Sequence, residues 1–260
     1  MKIVRYSTKG SPARLGWVDT TSADTPMVGL MDGSPYGEFR RGEPAHALAD
    51  VKLHPPTLPS KILCVGRNYV EHAKEHDAEV PEVPLLFMKP PSALIGPGET
   101  IVLPAQASRV EHEAELAVII GRAGRWIGLE DALTHVLGYT IANDVTARDL
   151  QRRDGQWTRG KGFDTFCPLG PWIETDFDPT DALITCKVNE ETRQMASTRD
   201  MVFNVKQLIV FASSVMTLEP GDILLTGTPA GVGPLEDGNH VTIAIEGLGE
   251  LKNEVRAETR

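Results

Sequence analysis

The chain has 260 residues, 41% hydrophobic and 24% charged, ordinary values for a globular protein. A net charge of −10 argues against nucleic acid or an anionic membrane as partner, since either needs a basic face. No apolar run approaches the roughly 18 residues of a membrane span. The three cysteines (Cys64, Cys167, Cys186) form no CxxC pair, and the N-terminus has no apolar leader, so the reading is a cytoplasmic protein without disulfides.

Residues 1–57 read as a small β-rich unit. Strands are expected at Lys2–Tyr6, Arg14–Asp19 and Met27–Met31, the last ended by the Asp32-Gly33 turn signal. The proline-rich stretch from His54 to Ser60 reads as a connector, so the main domain spans 58–260. Ile62–Val65 is a buried-strand candidate opening into Gly66-Arg67-Asn68-Tyr69. A short helix is expected over 69–77, followed by a Pro-flanked exit and a strand at Leu85–Met88. This polar, proline-bounded segment, about 68–83, suits a lid over a substrate. Continuous apolar runs at Leu116–Ile120, Gly138–Ala142 and Ile223–Thr226 predict fully buried strands, whereas Val241–Glu246 alternates as a half-exposed one. Helices are predicted over 129–136 and 204–217. The second has Asn204 as cap, Val205, Leu208, Ile209, Ala212 and Val215 on one face, and Glu219-Pro220-Gly221 as stop. Many short elements between turns make the chain β-rich.

Several common chemistries are absent. Gly231-Val232-Gly233 lacks the third glycine of a dinucleotide fingerprint, and Thr226-Gly227-Thr228-Pro229 lacks the lysine of a P-loop. There is neither a Gly-x-Ser-x-Gly elbow nor an HExxH pair. What stands out is Glu111, Glu113 and Glu115 alternating into the apolar run Leu116–Ile120. On one strand they share a face, and carboxylates leading into a buried strand repel unless a cation sits among them. Oxygen donors favour a hard divalent ion. Asp144, at the end of another apolar run, supplies a further carboxylate, although it or Asn143 could instead cap a helix at Val145–Leu150. His72 and Glu75, spaced i and i+3, form a candidate base and its orienting acid; His76 and Glu71 compete for those roles. Lys161, between Gly160 and Gly162, is a surface turn residue or a pocket cation that binds a substrate carboxylate or an oxyanion.

These segments together resemble the fumarylacetoacetate hydrolase family. The matching blocks are CVGRNYVEHAKE, LLFMKPPSALIGPGE, VEHEAELAVIIG, GYTIANDVTARDLQ, GQWTRGKGFDTFCPLGPW, ITCKVNEETRQ and LEPGDILLTGTPAGVG, in family order over roughly 60–255. Residues 1–57 resemble the N-terminal extension of several bacterial members. The resemblance implies an α+β, β-rich fold: a mixed β-roll or β-sandwich-like catalytic domain with a small N-terminal β-rich domain, usually a homodimer. It implies Mg²⁺ or Mn²⁺ on Glu113, Glu115 and Asp144, with Glu111 outside the ligand set. It carries the lid dyad onto His72 and Glu75 and the active-site lysine onto Lys161. Arg67, Gln151 and Thr228 fall at positions near the substrate, a small anionic 2-oxo acid.

The implied activity is metal-dependent C–C cleavage of a 2-oxo or β-diketo acid through a metal-stabilised enolate, of acylpyruvate hydrolase or oxaloacetate decarboxylase type. The alternative is 2-hydroxyhepta-2,4-diene-1,7-dioate isomerisation or a related decarboxylation in aromatic catabolism. Two other classes compete: a Schiff-base enzyme with Lys161 as nucleophile, and a silent ligand-binding member of the fold. Acidic neighbours would keep Lys161 charged, which disfavours the first. The filled catalytic positions disfavour the second.

Overall fold

A computed structural model describes residues 1–21, 25–75 and 77–259. His76 therefore lies outside the described residues. The fold is β-rich, with few and short helices.

A 12-stranded sheet forms the backbone of the molecule. Its main path runs Phe39–Ala47, Met27–Gly33, Arg14–Asp19, Lys2–Ser7, Cys167–Glu174, Val136–Asn143, Ala114–Ile120, Ile223–Leu225, Ile62–Gly66 and Leu85–Lys89. It does not close into a barrel. The N-terminal strands and the main part share this sheet, since Lys2 pairs with Glu174 and Ile3 with Ile173. A second sheet orders Glu191–Ser197, Leu183–Val188, His240–Ile245, Gly249–Ala257 and Thr100–Leu103. A small third joins Thr146–Ala147, Val110–His112 and Gly233–Pro234.

The continuous apolar run of Ala114–Ile120 has a simple cause. Side chains alternate along a strand, and here both faces are covered. Leu116, Val118 and Ile120 pack with Ile184, Ile243 and Leu251 of the five-stranded sheet, while Ala117 and Ile119 pack with Ile3, Ile173 and Ile223. His240–Ile245 alternates as expected, burying Val241, Ile243 and Ile245.

Four expectations are corrected. The predicted helix over 129–136 is only a turn of 3-10 helix, Ala132–His135, because Val136 already pairs with Ile120. The helix after Asp144 starts later, at Arg148, and runs to Asp154 with Ala147 before it. Neither Asn143 nor Asp144 caps it; the Asn143 side chain accepts from the Glu113 N–H instead, at 2.9 Å. The helix Val205–Val215 keeps its Asn204–Gln207 capping box, but Val215 is 52% exposed because the last turn runs past the core. The three alternating glutamates do not share one strand. Val110–His112 and Ala114–Ile120 belong to different sheets, and the chain changes sheet at Glu113.

Candidate active site

That change of sheet builds the site. Glu113 lies at the break, Glu115 is the second residue of Ala114–Ile120, and Asp144 follows the antiparallel neighbour Val136–Asn143. Ala114 pairs with Asn143, and the Asp144 N–H donates to the Glu113 carbonyl at 2.9 Å. Glu113, Glu115 and Asp144 are all buried, and oxygens from the three lie within 4.8 Å of one another. Glu111, also buried, points to Arg109 and Arg148, at 2.5 and 2.6 Å. It stays outside the triad.

Three buried carboxylates need positive charge. Lys161, from the short helix Thr158–Lys161, donates to Glu113 Oε2 at 2.7 Å and Asp144 Oδ2 at 2.6 Å. Lys89, at the end of Leu85–Lys89, donates to Asp144 Oδ1 at 2.6 Å. Arg148 bonds Glu111, Glu113 and the Gln151 amide oxygen. Burial pushes the Glu113 carboxyl up, but Lys161 and Arg148 outweigh it and hold it well below the usual range. Burial works against the Lys161 ammonium, yet Asp144 and Glu113 raise its pKa, so it stays charged. Both carboxylates accept from this ammonium and favour its charged form, which weighs against the Schiff-base reading. Glu115 differs. Burial and the charges of Asp144 and Glu113 push its carboxyl up, against which stand Lys161 and the Gly227 N–H, bonded at 2.7 Å. The donor set is thus all oxygen and short of positive charge around Glu115, which fits a hard divalent cation.

The expected dyad meets: His72 Nδ1 lies 3.3 Å from Glu75 Oε2 on the helix Val70–Glu75. Glu75 also accepts from the Gly231 N–H, 3.2 Å from each oxygen, which ties this segment to the loop after Ile223–Leu225. Gly231 has φ +98°, and a Cβ there would sit 2.0 Å from the Arg193 carbonyl, so only glycine fits. His72, Glu113, Glu115, Arg148, Gln151, Lys161, Arg67 and Thr228 line one cavity of about 280 Å³. Phe87, Arg152 and Trp157 line it too.

Sequence reasoning missed four supporting groups. Nothing local marks Lys89 or Arg148, whose carboxylate partners lie 35 to 55 residues away. Asn68 is fully buried; its amide donates to the Phe203 and Thr226 carbonyls and its oxygen accepts from the Phe203 N–H. Gln194, on Glu191–Ser197, donates to Thr228 Oγ1 and the Pro229 carbonyl and accepts from the Ala114 N–H. Because those contacts orient its amide, the bond at 3.0 Å to His112 must be donated by His112 Nδ1. No local pattern marks Gln194, whose partners lie 34 to 82 residues away.

Comparison with known proteins agrees with this geometry. Residues 61–256 match the family model described as Fumarylacetoacetate (FAA) hydrolase C-terminal, and residues 1–56 match Rv2993c-like, N-terminal. The chain belongs to the fumarylacetoacetate hydrolase family. It is 46% identical over 215 residues to Oxaloacetate tautomerase FAHD2A, mitochondrial, of Bos taurus, covering 78% of this chain and 68% of that one. A crystal structure of 2-hydroxyhepta-2,4-diene-1,7-dioate isomerase from Mycobacterium marinum superposes with TM-score 0.92 and 43% identity over the whole of both chains. Fumarylpyruvate hydrolase from Pseudomonas aeruginosa, in complex with Mn²⁺ and pyruvate, gives TM-score 0.74 and 36% identity over 80% of this chain and 92% of that one. The protein is therefore an enzyme of this family, and such enzymes act on small acids.

Proposed function

We propose that the protein hydrolyses the C–C bond of an acylpyruvate-type 2-oxo acid. One observation carries this reading: His72, in contact with Glu75, lines the same small cavity as Glu113, Glu115 and the charged Lys161, and Asp144 completes the carboxylate triad behind them. Glu113, Glu115 and Asp144 would hold a divalent cation of Mg²⁺ or Mn²⁺ type, whose contribution when bound is Lewis-acid polarisation of the substrate's oxygens. Glu75 orients the imidazole, and His72 takes a proton from water as the water oxygen attacks the distal acyl carbon. The bond from that carbon to C3 then breaks. The electron pair stays on the pyruvate half, and His72 can return its proton to C3. The ammonium of Lys161 offsets oxyanion charge, while Arg148 restrains Glu113. Arg67, Gln151 and Thr228 contact the substrate in this scheme. We take the working unit to be a homodimer, which light scattering tests.

A second reading is proton transfer alone. His72 would move a proton at C3 without activating water, giving tautomerisation of oxaloacetate or isomerisation of a hydroxydiene dioate. The similarity to an oxaloacetate tautomerase and to a heptadiene dioate isomerase favours it. The deciding experiment incubates the enzyme and Mg²⁺ or Mn²⁺ in D₂O with fumarylpyruvate, oxaloacetate and 2-hydroxyhepta-2,4-diene-1,7-dioate. NMR then separates bond cleavage, decarboxylation and C3 deuteration. Cleavage lost on adding EDTA and in Glu115→Gln is expected; turnover that survives chelation would sink both readings.

A further inference from the structure

Gln194 is buried on a strand, Glu191–Ser197, where its neighbours Thr192, Arg193 and Met195 are exposed. A shift in register explains how it turns inward. Cys186 pairs with Gln194 and Lys187 with Thr192, which leaves Arg193 without an opposite residue. Such a bulge re-aims the side chain beside it. The same bulge presents the Arg193 carbonyl to Gly231, the contact that leaves no room for a Cβ there.

A primary amide has two N–H donors and two acceptor lone pairs, and Gln194 uses all four. Its Oε1 accepts from His112 Nδ1 at 3.0 Å and from the Ala114 N–H at 3.1 Å. Its Nε2 donates to Thr228 Oγ1 at 2.7 Å and to the Pro229 carbonyl at 2.8 Å. Thr228 Oγ1 in turn donates to the Ala114 carbonyl at 2.9 Å, so Gln194, Thr228 and Ala114 close a ring of hydrogen bonds. His112 and Ala114 flank Glu113, and Ala114 also precedes Glu115. Both glutamates therefore hang on backbone that Gln194 holds. The loop held by Nε2 supplies the Gly227 N–H to Glu115 and the Gly231 N–H to Glu75. Gln194 itself does not line the cavity.

We propose that Gln194 is a positioning residue that fixes Glu113 and Glu115 in the arrangement that accepts a hard divalent cation. The inference rests on the cation site proposed above and adds to it a residue behind the ligands. Three buried carboxylates repel one another, so a cation that must gather them itself binds more weakly. A backbone clamp that has already set two of them removes that cost. Groups that orient metal ligands typically govern about 10- to 100-fold in affinity.

Titration of the metal-free, full-length protein with Mn²⁺, read by EPR without any substrate, tests the clamp. Gln194→Met is of similar length and makes none of the four bonds. Its Mn²⁺ affinity is expected to fall about tenfold or more. The line shape of the bound ion, which reports ligand symmetry, should also change at saturation. A residue that served the fold alone would lower the melting temperature and leave that signature as it is. Gln194→Glu keeps an acceptor for Ala114 and His112 and lacks the donors. Its buried charge makes it the less stable variant, yet it should bind Mn²⁺ more tightly than Gln194→Met. If Gln194→Met does not fold, Thr228→Val, which breaks the ring from the loop side, replaces it with the same expected loss. Unchanged affinity and line shape in these variants, or Gln194→Glu binding no better than Gln194→Met, would overturn the role of Gln194. If Glu115→Gln still abolished binding, the cation site would stand. No Mn²⁺ binding by the native protein would reject the cation site and the inference with it.

Discussion

Asp144 is buried with each oxygen on a different ammonium, Lys89 on Oδ1 and Lys161 on Oδ2. The two lysines do different jobs. Lys161 lines the cavity and can engage a ligand, whereas Lys89 also donates to the Val145 carbonyl at 3.0 Å and does not line it. Removing Lys89 leaves a buried charge half-compensated. Lys89→Met should therefore destabilise the fold by about 3 kcal/mol in urea titration, and adding Asp144→Asn should recover part of the loss. An additive double variant would count against this pairing. Glu75 carries a second residue-scale prediction. Burial pushes its carboxyl pKa up, the Gly231 N–H pulls it down, and the Glu111 charge adds to the rise, so the net shift is upward. A raised carboxyl pKa means protonation begins at a higher pH than for an ordinary glutamate, so the dyad weakens as pH falls through that value. Glu75→Gln should accordingly remove one contribution to the acid limb of kcat/KM, one that sets in at a higher pH than for an ordinary glutamate. An unchanged limb in that variant would assign it to another group.

At the scale of elements, backbone N–H groups of the loop around Gly231 hold the segment carrying the dyad through Glu75. The chain there is left-handed, and a Cβ would meet the Arg193 carbonyl at 2.0 Å. Gly231→Ala must shift this loop and draw its N–H away from Glu75. A loss of about tenfold in kcat is expected. In a cycle with Glu75→Gln the two losses should be strongly non-additive, since both break one contact. Simple additivity would separate the loop from the dyad. Sequence periodicity found the central buried strands and the capped helix because each is determined by neighbours a few residues away, but it left strands such as Phe39–Ala47, Cys167–Glu174, Leu183–Val188 and Gly249–Ala257 unassigned. It misjudged 129–136, where strand pairing of Val136 overrides a helix-like acidic start.

For the whole molecule, the two family matches meet near the proline-rich connector, yet the large sheet runs through both. Ile3 and Val4 are fully buried, and Lys2–Ser7 covers the edge of Cys167–Glu174, whose other side pairs with Val136–Asn143 of the site. Deleting 1–57 would expose that edge and part of the core. The truncated chain should melt at least about 10 °C lower, or aggregate, in a thermal scan. An unchanged melting temperature would show that the main domain folds without its extension.

Local pattern brought out acids running into an apolar strand and a histidine with a glutamate one helical turn away, but the choice of Glu113, Glu115 and Asp144 over Glu111, and of His72 with Glu75 over their neighbours, came from the family resemblance. Composition and periodicity likewise determined a β-rich fold with buried central strands. The identity of the charge partners was decided only by tertiary structure. Lys89 meets Asp144 across 55 residues, Arg148 meets Glu113 across 35, and Gln194 meets His112 across 82. A buried carboxylate must find a cation or a donor, but nothing local says which one. That choice follows from which strand ends and turns the sheets bring together, and it gives Arg148 two carboxylates while Arg152, one helical turn away, has no ion pair among the described residues.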